Sequence, residues 1–241
     1  MLTSLAHART DQDWDERHLD LLNTVLPNGT CRPDTPSAVT VLARMILADA
    51  LTSSRRCDIY ATLVYAASRY ASDTITGADI AAATGRPPHP LRWAEQARDA
   101  VGATAPDLLA RWDTEPAANR AALTAVAALF PSHGRAVATR VAALAAAQQG
   151  TKAGTCAQIA CHLIAGQTQE AATNAALVSL WGETPAEYDT GNEALGRVLL
   201  AEAIVCDEVS KLLPRGHPAP CGSAARILNH TTTTGRASPA E

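Results

Sequence analysis

Aromatic side chains and lysine are both scarce in this sequence. Only 4% of the 241 residues are aromatic, whereas 47% are hydrophobic, and most of that apolar volume comes from alanine, leucine and valine. This mixture favours closely packed helices and contains few of the residues that prefer strands. The composition therefore predicts an all-α protein with enough apolar material for a core.

A surplus of basic charge and a long apolar run are also missing. The formal net charge is −4 at pH 7, so there is no basic stripe to contact a phosphate backbone, and we expect no nucleic-acid partner. No window of eighteen residues is both apolar and uncharged, and the N-terminal stretch MLTSLAHARTDQDWDE does not join a basic start to an apolar run. We therefore expect no membrane partner and a cytoplasmic location.

The cysteines do not form a C-x-x-C pair, and the chain is too long to need disulfides for its stability. We predict reduced, mostly buried thiols rather than disulfides or metal ligands. The six positions are Cys31, Cys57, Cys156, Cys161, Cys206 and Cys221.

Signatures of catalysis and of cofactor binding are absent from the sequence as well. It contains no phosphate-binding glycine loop, no H-E-x-x-H, no G-x-S-x-G and no G-x-G-x-x-G. The acidic stretch DQDWDE, residues 11–16, fits a capped helix start better than a metal site, because acidic residues favour helix N-termini. Cys156 and Cys161 point about 140° apart on a helix, so neither they nor His162 predict a metal site. We expect no cofactor and no enzymatic activity.

Helical periodicity is present along most of the chain. The first helix buries a stripe that ends before PNG, residues 27–29, and the second begins at Thr35, an expected N-cap, followed by Pro36 in the first turn. A third helix covers RRCDIYATLVYAASRYAS. The expected buried positions are Trp14, His18, Leu21, Leu22 and Val25, then Val39, Leu42 and Ile46, then Ile59, Tyr60, Leu63, Val64, Ala67 and Tyr70.

Two stretches rich in glycine and proline are expected to interrupt the helices. Residues 73–90 contain two glycines and three prolines, which predicts an irregular connection with at most a short helical turn. In the following helical stretch, Gly102 and Pro106 are expected to divide the helix in two.

The alanine-rich stretch from Asn119 to Gly150 is neither a membrane span nor a coiled coil. Charged residues and Pro131 interrupt it, and no helix sustains three heptads. Helix, short break and helix alternate instead, and a shift of 34 residues aligns Leu129 with Leu163 and Phe130 with Ile164. This period predicts stacked antiparallel helical hairpins.

The segment EPAANRAAL, Glu115 to Leu123, resembles the start of a HEAT repeat, with an acidic residue and a proline followed by an arginine and small apolar positions. The earlier stretch LLNTVLPNGTCRPDTPSAVTVLARMI is similar to the first repeat of a group of bacterial HEAT-repeat proteins. The resemblance covers most of residues 10–180. It implies a HEAT-like α-solenoid, and such solenoids are chiefly protein-binding scaffolds.

We expect one α-helical repeat domain over residues 1–230 and a disordered tail over 231–241. Its closing helix is predicted through Leu195, Val198, Leu199, Val205 and Val209.

Charged and aromatic residues on the apolar stripes are the candidate partner-binding positions. Arg44 and Arg140 lie on second helices of their hairpins, which in HEAT-like solenoids line the concave surface, and Trp93 is of a type enriched at binding sites. The alternative is structural: the arginines cover stripe edges or pair with nearby carboxylates, and the tryptophan fills core volume. Glu202 likewise interrupts the closing stripe.

The sequence therefore predicts a non-enzymatic scaffold that binds another protein through its concave face. One alternative is an enzyme on the same scaffold, such as a HEAT-like DNA glycosylase, which needs a basic face with a carboxylate and a tryptophan at its centre. A second alternative is a small-molecule site between helices.

Overall fold

Every regular element in the described part of the chain is helical, which confirms the all-α class. The computed structural model describes residues 5–84, 91–178, 198, 201–206 and 209. Residues 198, 201–206 and 209 are helical and are called the C-terminal segment here. The α-helices are α1 (Asp11–Val25), α2 (Thr35–Leu47), α3 (Ser53–Thr84), α4 (Arg92–Ala110), α5 (Ala117–Leu129), α6 (Ala138–Ala147), α7 (Lys152–Ile164) and α8 (Thr168–Val178).

Helix α1 begins as the sequence predicts. The Thr10 hydroxyl accepts a hydrogen bond from the Asp13 amide at 3.1 Å, and Asp11 and Asp13 occupy the first turn. The acidic stretch is thus a capped helix start, where carboxylates offset the positive end of the helix dipole. All five predicted positions of the stripe, from Trp14 to Val25, are buried.

The predicted N-cap of α2 is wrong by one residue. Thr35 is the first helical residue, Asp34 holds the cap position, and no side chain caps the helix. The Thr35 hydroxyl is fully buried, accepts a hydrogen bond from the Arg32 amide at 2.7 Å and donates to the Val25 carbonyl. Thr35 therefore ties the start of α2 to the end of α1.

The irregular connection predicted over residues 73–90 is wrong for its first two thirds, because α3 continues to Thr84. Within 73–84 the only strong helix breaker is Gly77, whose cost in a helix is about 1 kcal/mol relative to alanine. The prolines that suggested a loop all lie later, at 87, 88 and 90. Residues 85–90 lie outside the described part.

Helix α4 is also continuous through Gly102 and Pro106, contrary to the predicted break. A Cβ at Gly102 would lie 3.0 Å from the ring of Phe130. Gly102 therefore permits a close helix contact instead of ending a helix, and the pattern of breakers alone does not distinguish the two roles.

The helices share one apolar core, and helices two apart in sequence are neighbours. Helix α2 packs against α4, α3 against α5, and α5 against α7, and consecutive pairs such as α3 and α4 or α6 and α7 also pack. The single helical turn Pro131–Gly134 packs on α4 and α7. Large side chains such as Trp14, Tyr60 and Tyr65 fill the first half of this core, whereas alanine dominates α5.

None of the five cysteines in the described part forms a disulfide, and Cys31, Cys156 and Cys206 are buried, as predicted. Burial raises the pKa of Cys57 to about 11 and also raises that of Cys161, so both are poor nucleophiles at neutral pH. Cys221 lies outside the described residues. Among the described helices, none combines the length and apolarity of a membrane span.

Candidate functional site

Helix α6 is apolar yet largely uncovered. Its sequence is ATRVAALAAA, and Val141 is its only fully buried side chain. Alanines 142, 143, 146 and 147 are exposed, and the helix packs chiefly on α7. An apolar helix surface that the protein leaves in contact with water is a typical feature of an interaction site.

Two depressions flank α6. The first, called the apolar cavity here, lies between α5, α6, α7 and the C-terminal segment and has a volume of about 170 Å³. The second, called the Trp112 cleft, lies between α6 and the turn Trp112–Thr114 and has a volume of about 300 Å³. Leu144 of α6 lines both. Helix α6 is therefore the wall that separates two concave surfaces.

Arginine side chains join the helices beside the Trp112 cleft to the turn that carries Trp112. Arg120 of α5 donates from Nε to the Trp112 carbonyl at 3.1 Å and from Nη2 to the Asp113 carbonyl at 3.3 Å. Arg140 of α6 donates to the Asp113 carboxylate at 2.7 Å, and both side chains are about half exposed or more. An exposed pair of this kind contributes about 0–1 kcal/mol to stability, so a partner can displace it at little cost.

The three sequence-predicted site residues do not form one site. Arg140 lines the Trp112 cleft, Arg44 is exposed on α2, and Trp93 is half-buried at the start of α4 with the Arg92 guanidinium 4.7 Å above its ring. Among the described residues, no hydrogen bond, ion pair or ring contact joins any two of the three. Of the three, only Arg140 lies on α6.

A buried polar cluster around Glu115 stabilises the turn that carries Trp112. The fully buried Glu115 carboxylate accepts hydrogen bonds from Arg56, Arg111, Asn119 and Tyr60 at 2.6–3.2 Å. Burial alone would raise the pKa of Glu115, but the hydrogen bonds from Arg56, Asn119 and Arg111 outweigh this and lower it. These contacts join α3, the end of α4 and the start of α5, which fixes the turn that carries Trp112.

The Glu115 cluster was missed at the sequence level, where Glu115 appeared only as part of a HEAT-like motif. A local signal was present, since Arg111 and Asn119 lie four residues before and after Glu115 in the sequence, although Glu115 itself lies in the extended link between α4 and α5. Arg56 is 59 residues away, and no local pattern indicates that contact.

Glu202 interrupts the closing stripe for a structural reason. It is buried, with 4% of its side chain exposed, and accepts hydrogen bonds from Arg98 of α4 at 2.8 and 3.1 Å. Burial raises the pKa of Glu202, although Arg98 acts in the opposite direction. Arg98 also donates to the Leu129 carbonyl and lies over the rings of Phe130 and Tyr70. The pair therefore holds the C-terminal segment against α4.

Asp58 is another acidic side chain whose pKa is raised by burial. It accepts a hydrogen bond from the Trp14 indole at 2.8 Å, and burial raises its pKa to about 6, despite the opposing effects of Trp14 and Arg55. Next to it, His18 Nε2 lies 2.8 Å from the Thr62 hydroxyl. Trp14 and His18 are buried, so this group joins α1 to α3 rather than facing solvent.

Potential metal ligands do not assemble in the part of the chain that the structure describes, where no group of three histidine, cysteine or acidic side chains has the required proximity. His162 Nδ1 lies 2.9 Å from the side-chain oxygen of Gln167, and Cys156 is buried.

Comparison of this chain with protein families, with curated proteins and with solved structures gave no match.

Proposed function

We propose that the protein is a non-enzymatic helical scaffold that binds a protein partner along α6. The observation that carries this proposal is the side of α6 that borders the Trp112 cleft, where Ala143 and Ala147 are exposed. Alanine side chains allow the backbones of two helices to approach closely, and a cleft beside them accommodates the larger side chains of a partner helix. The partner we propose is therefore an amphipathic helix that lays its apolar face on α6.

A HEAT-like stack of hairpins is part of the proposal. Packing between helices two apart, α2 with α4, α3 with α5 and α5 with α7, supports it, because each hairpin of a solenoid stacks on the next. Helices α5 and α7 also have equal lengths of 13 residues and begin 35 residues apart, at 117 and 152. In such a stack, α6 would contribute to the concave side.

A cytoplasmic location also belongs to the proposal. It is supported by the reduced state of the five described cysteines, none of which forms a disulfide, since reducing compartments keep cysteines in this form.

Two matched double variants of α6 test the proposal. Ala143→Glu/Ala147→Glu places two carboxylates on the side that lines the Trp112 cleft. Ala142→Glu/Ala146→Glu places the same charges on exposed positions of the other side of the same helix. Each protein, with the wild type, is used to capture binding proteins from native lysate, and its melting temperature is measured.

The proposal requires a protein that is captured by the wild type and by the Ala142/Ala146 variant but is lost with the Ala143/Ala147 variant, at similar melting temperatures. Capture that is equal with all three proteins would place binding elsewhere. Absence of any captured protein with the wild type, also after chemical cross-linking, would reject the scaffold function.

A second candidate function is a DNA glycosylase on the same scaffold. The observation that favours it is that the Trp112 cleft joins a tryptophan, the Asp113 carboxylate and two guanidinium groups. The net charge of −4 counts against it. Binding of a short duplex DNA at low salt tests it: saturable binding that Arg120→Gln/Arg140→Gln weakens would support the enzyme, and a flat binding curve would remove it.

A further inference from the structure

The apolar cavity is distinct from the exposed surface of α6 and is built from four elements. Its inner wall consists of buried or half-buried side chains of α5, α7 and the C-terminal segment, and Leu144 of α6 closes one side. Ala117 and Ala118 are exposed and form its mouth at the start of α5. The inner wall is formed mainly by Ala121, Thr124, Cys156, Ala157, Val205 and Val209.

The cavity exists because α6 is attached to α7 rather than to α5. At the start of α7, Gly154 packs so tightly on the Gln148 carbonyl that any Cβ there would overlap it. This contact holds the end of α6 close to α7, while the residues of α5 that face α6 are mostly alanines, too short to fill the gap. The space between α5 and α6 is therefore fixed by backbone contacts.

The chemistry of the lining selects a neutral ligand. None of the described lining residues carries a charge, so an ionised ligand would lose its hydration without gaining a counter-charge. Two lining side chains are polar. The Thr124 hydroxyl donates to the Arg120 carbonyl at 2.8 Å and keeps lone pairs that can accept a hydrogen bond, and Gln148 supplies a side-chain amide.

The volume sets the size of the ligand. A cavity of about 150 Å³ lined by apolar side chains stays dry and binds benzene, and the cavity here measures about 170 Å³. We propose that the apolar cavity binds a neutral molecule with one six-membered ring and a single hydroxyl group, aromatic or alicyclic. The ring occupies the space between Ala121, Leu144 and Ala157, and the hydroxyl group donates to Thr124.

Benzyl alcohol is the probe for this site, and benzoate is its charged counterpart. Full-length protein labelled at its alanine methyl groups is titrated with each and followed by NMR. We expect benzyl alcohol to shift the methyl resonances of Ala121 and Ala157 with half-saturation on the order of 0.1–1 mM. Benzoate is expected to leave them unchanged.

Filling the cavity provides the variant test. Ala121→Leu adds three carbon atoms from α5, and Ala153→Leu enters the cavity from α7, so a folding defect in one variant leaves the other to decide. Ala142→Leu, at an exposed position of α6, is the matched control. We expect a loss of binding of at least tenfold in the two filled variants and none in the control.

Three results would overturn the proposal. The first is the absence of a saturable shift of the methyl resonances in the folded wild type, up to the solubility of benzyl alcohol. The others are a folded Ala121→Leu or Ala153→Leu variant that binds benzyl alcohol as tightly as the wild type, and benzoate shifts as large as those of benzyl alcohol. The proposal does not depend on the partner site, because the α6 variants at residues 143 and 147 leave the inner wall of the cavity unchanged.

Discussion

Arg98 of α4 and Glu202 of the C-terminal segment form a buried ion pair joined by two hydrogen bonds of 2.8 and 3.1 Å. They are 104 residues apart in the sequence. Because the segment also supplies Val205 and Val209 to the wall of the apolar cavity, this pair positions one side of the proposed ligand site as well as the end of the fold.

Glu202→Ala is expected to be strongly destabilising. It leaves Arg98 mostly buried without its counter-charge, and loss of one partner of a buried pair costs about 3–5 kcal/mol. Urea denaturation should show a fall in the free energy of unfolding of about 3 kcal/mol. Glu16→Ala, an exposed control on α1, should change it by less than about 0.5 kcal/mol. If Arg98→Met and Glu202→Met have additive effects in a double-mutant cycle, the two side chains do not stabilise each other.

Glu115→Gln should reduce the amount by which the free energy of unfolding falls at acidic pH. The pKa of Glu115 is lowered in the folded state, so its contribution to stability is complete above the unfolded pKa of 4.5 and is lost as the pH falls through the lower folded value. Denaturation at pH 7 should show a loss of about 3 kcal/mol in the variant. Near pH 3 the difference from the wild type should shrink, and a constant difference across this range would contradict the assigned charge of Glu115.

The contribution of Asp58 to the free energy of unfolding should decrease as the pH rises from about 4 to 6, whereas that of Glu115 increases with pH. Its pKa is raised to about 6 from 3.8, so the folded protein binds the proton more tightly than the unfolded chain does. The resulting stability is complete below about pH 4 and is lost as the pH rises through about 6. The indole N–H resonance of Trp14, which donates to Asp58, should titrate with a midpoint near pH 6. Asp58→Asn should abolish this titration, and persistence of it would assign the midpoint to another group.

Gly154→Ala should separate α6 from α7. The added methyl group would overlap the Gln148 carbonyl, and a backbone atom cannot move aside as a flexible side chain can, so we expect a loss of about 2 kcal/mol or more in thermal or urea unfolding. Gly150→Ala is the matched control. Gly150 has a φ of 81° but open space around it, so only the backbone strain of about 1 kcal/mol applies. Equal losses in the two variants would show that packing at Gly154 is not tight.

Periodicity in the sequence was sufficient to predict the buried faces of the first two helices, because a 3.6-residue repeat of large apolar side chains leaves few alternatives. For α3 the predicted stripe was too narrow, since every residue from Ile59 to Arg69 is buried, and Tyr70 is only half-buried. Periodicity was not sufficient to place the helix boundaries. Helix α3 continues through Gly77, α4 continues through Gly102, and Thr35 is the first residue of α2 rather than its N-cap. The sequence does not distinguish a glycine that ends a helix from one, such as Gly102, that makes room for the ring of Phe130. It also does not distinguish a threonine that caps its own helix from one, such as Thr35, whose hydroxyl bonds to the end of the previous helix.

The candidate site was predictable only in part, for a related reason. The spacing of Val137, Val141 and Leu144 in the sequence predicts an apolar stripe, and both Val141 on α6 and Val137 just before it are buried. Alanine, however, favours a helix whether or not it is buried, because its helix propensity is the highest of all residues, so the exposure of the rest of α6 could not be predicted. Arg140 was identified because a charge beside an apolar stripe is visible in the sequence, whereas the Trp112 cleft depends on where α6 lies in three dimensions.

The single buried anchor of α6, Val141, has a consequence for the dynamics of the protein. A helix that contributes so little to the core can detach from it in a local opening that leaves the rest of the fold intact. Its backbone amides should exchange with solvent deuterium faster than those of α5 and α7, as an independent cooperative unit. A ligand or partner that contacts Leu144 would then slow the exchange of the whole helix.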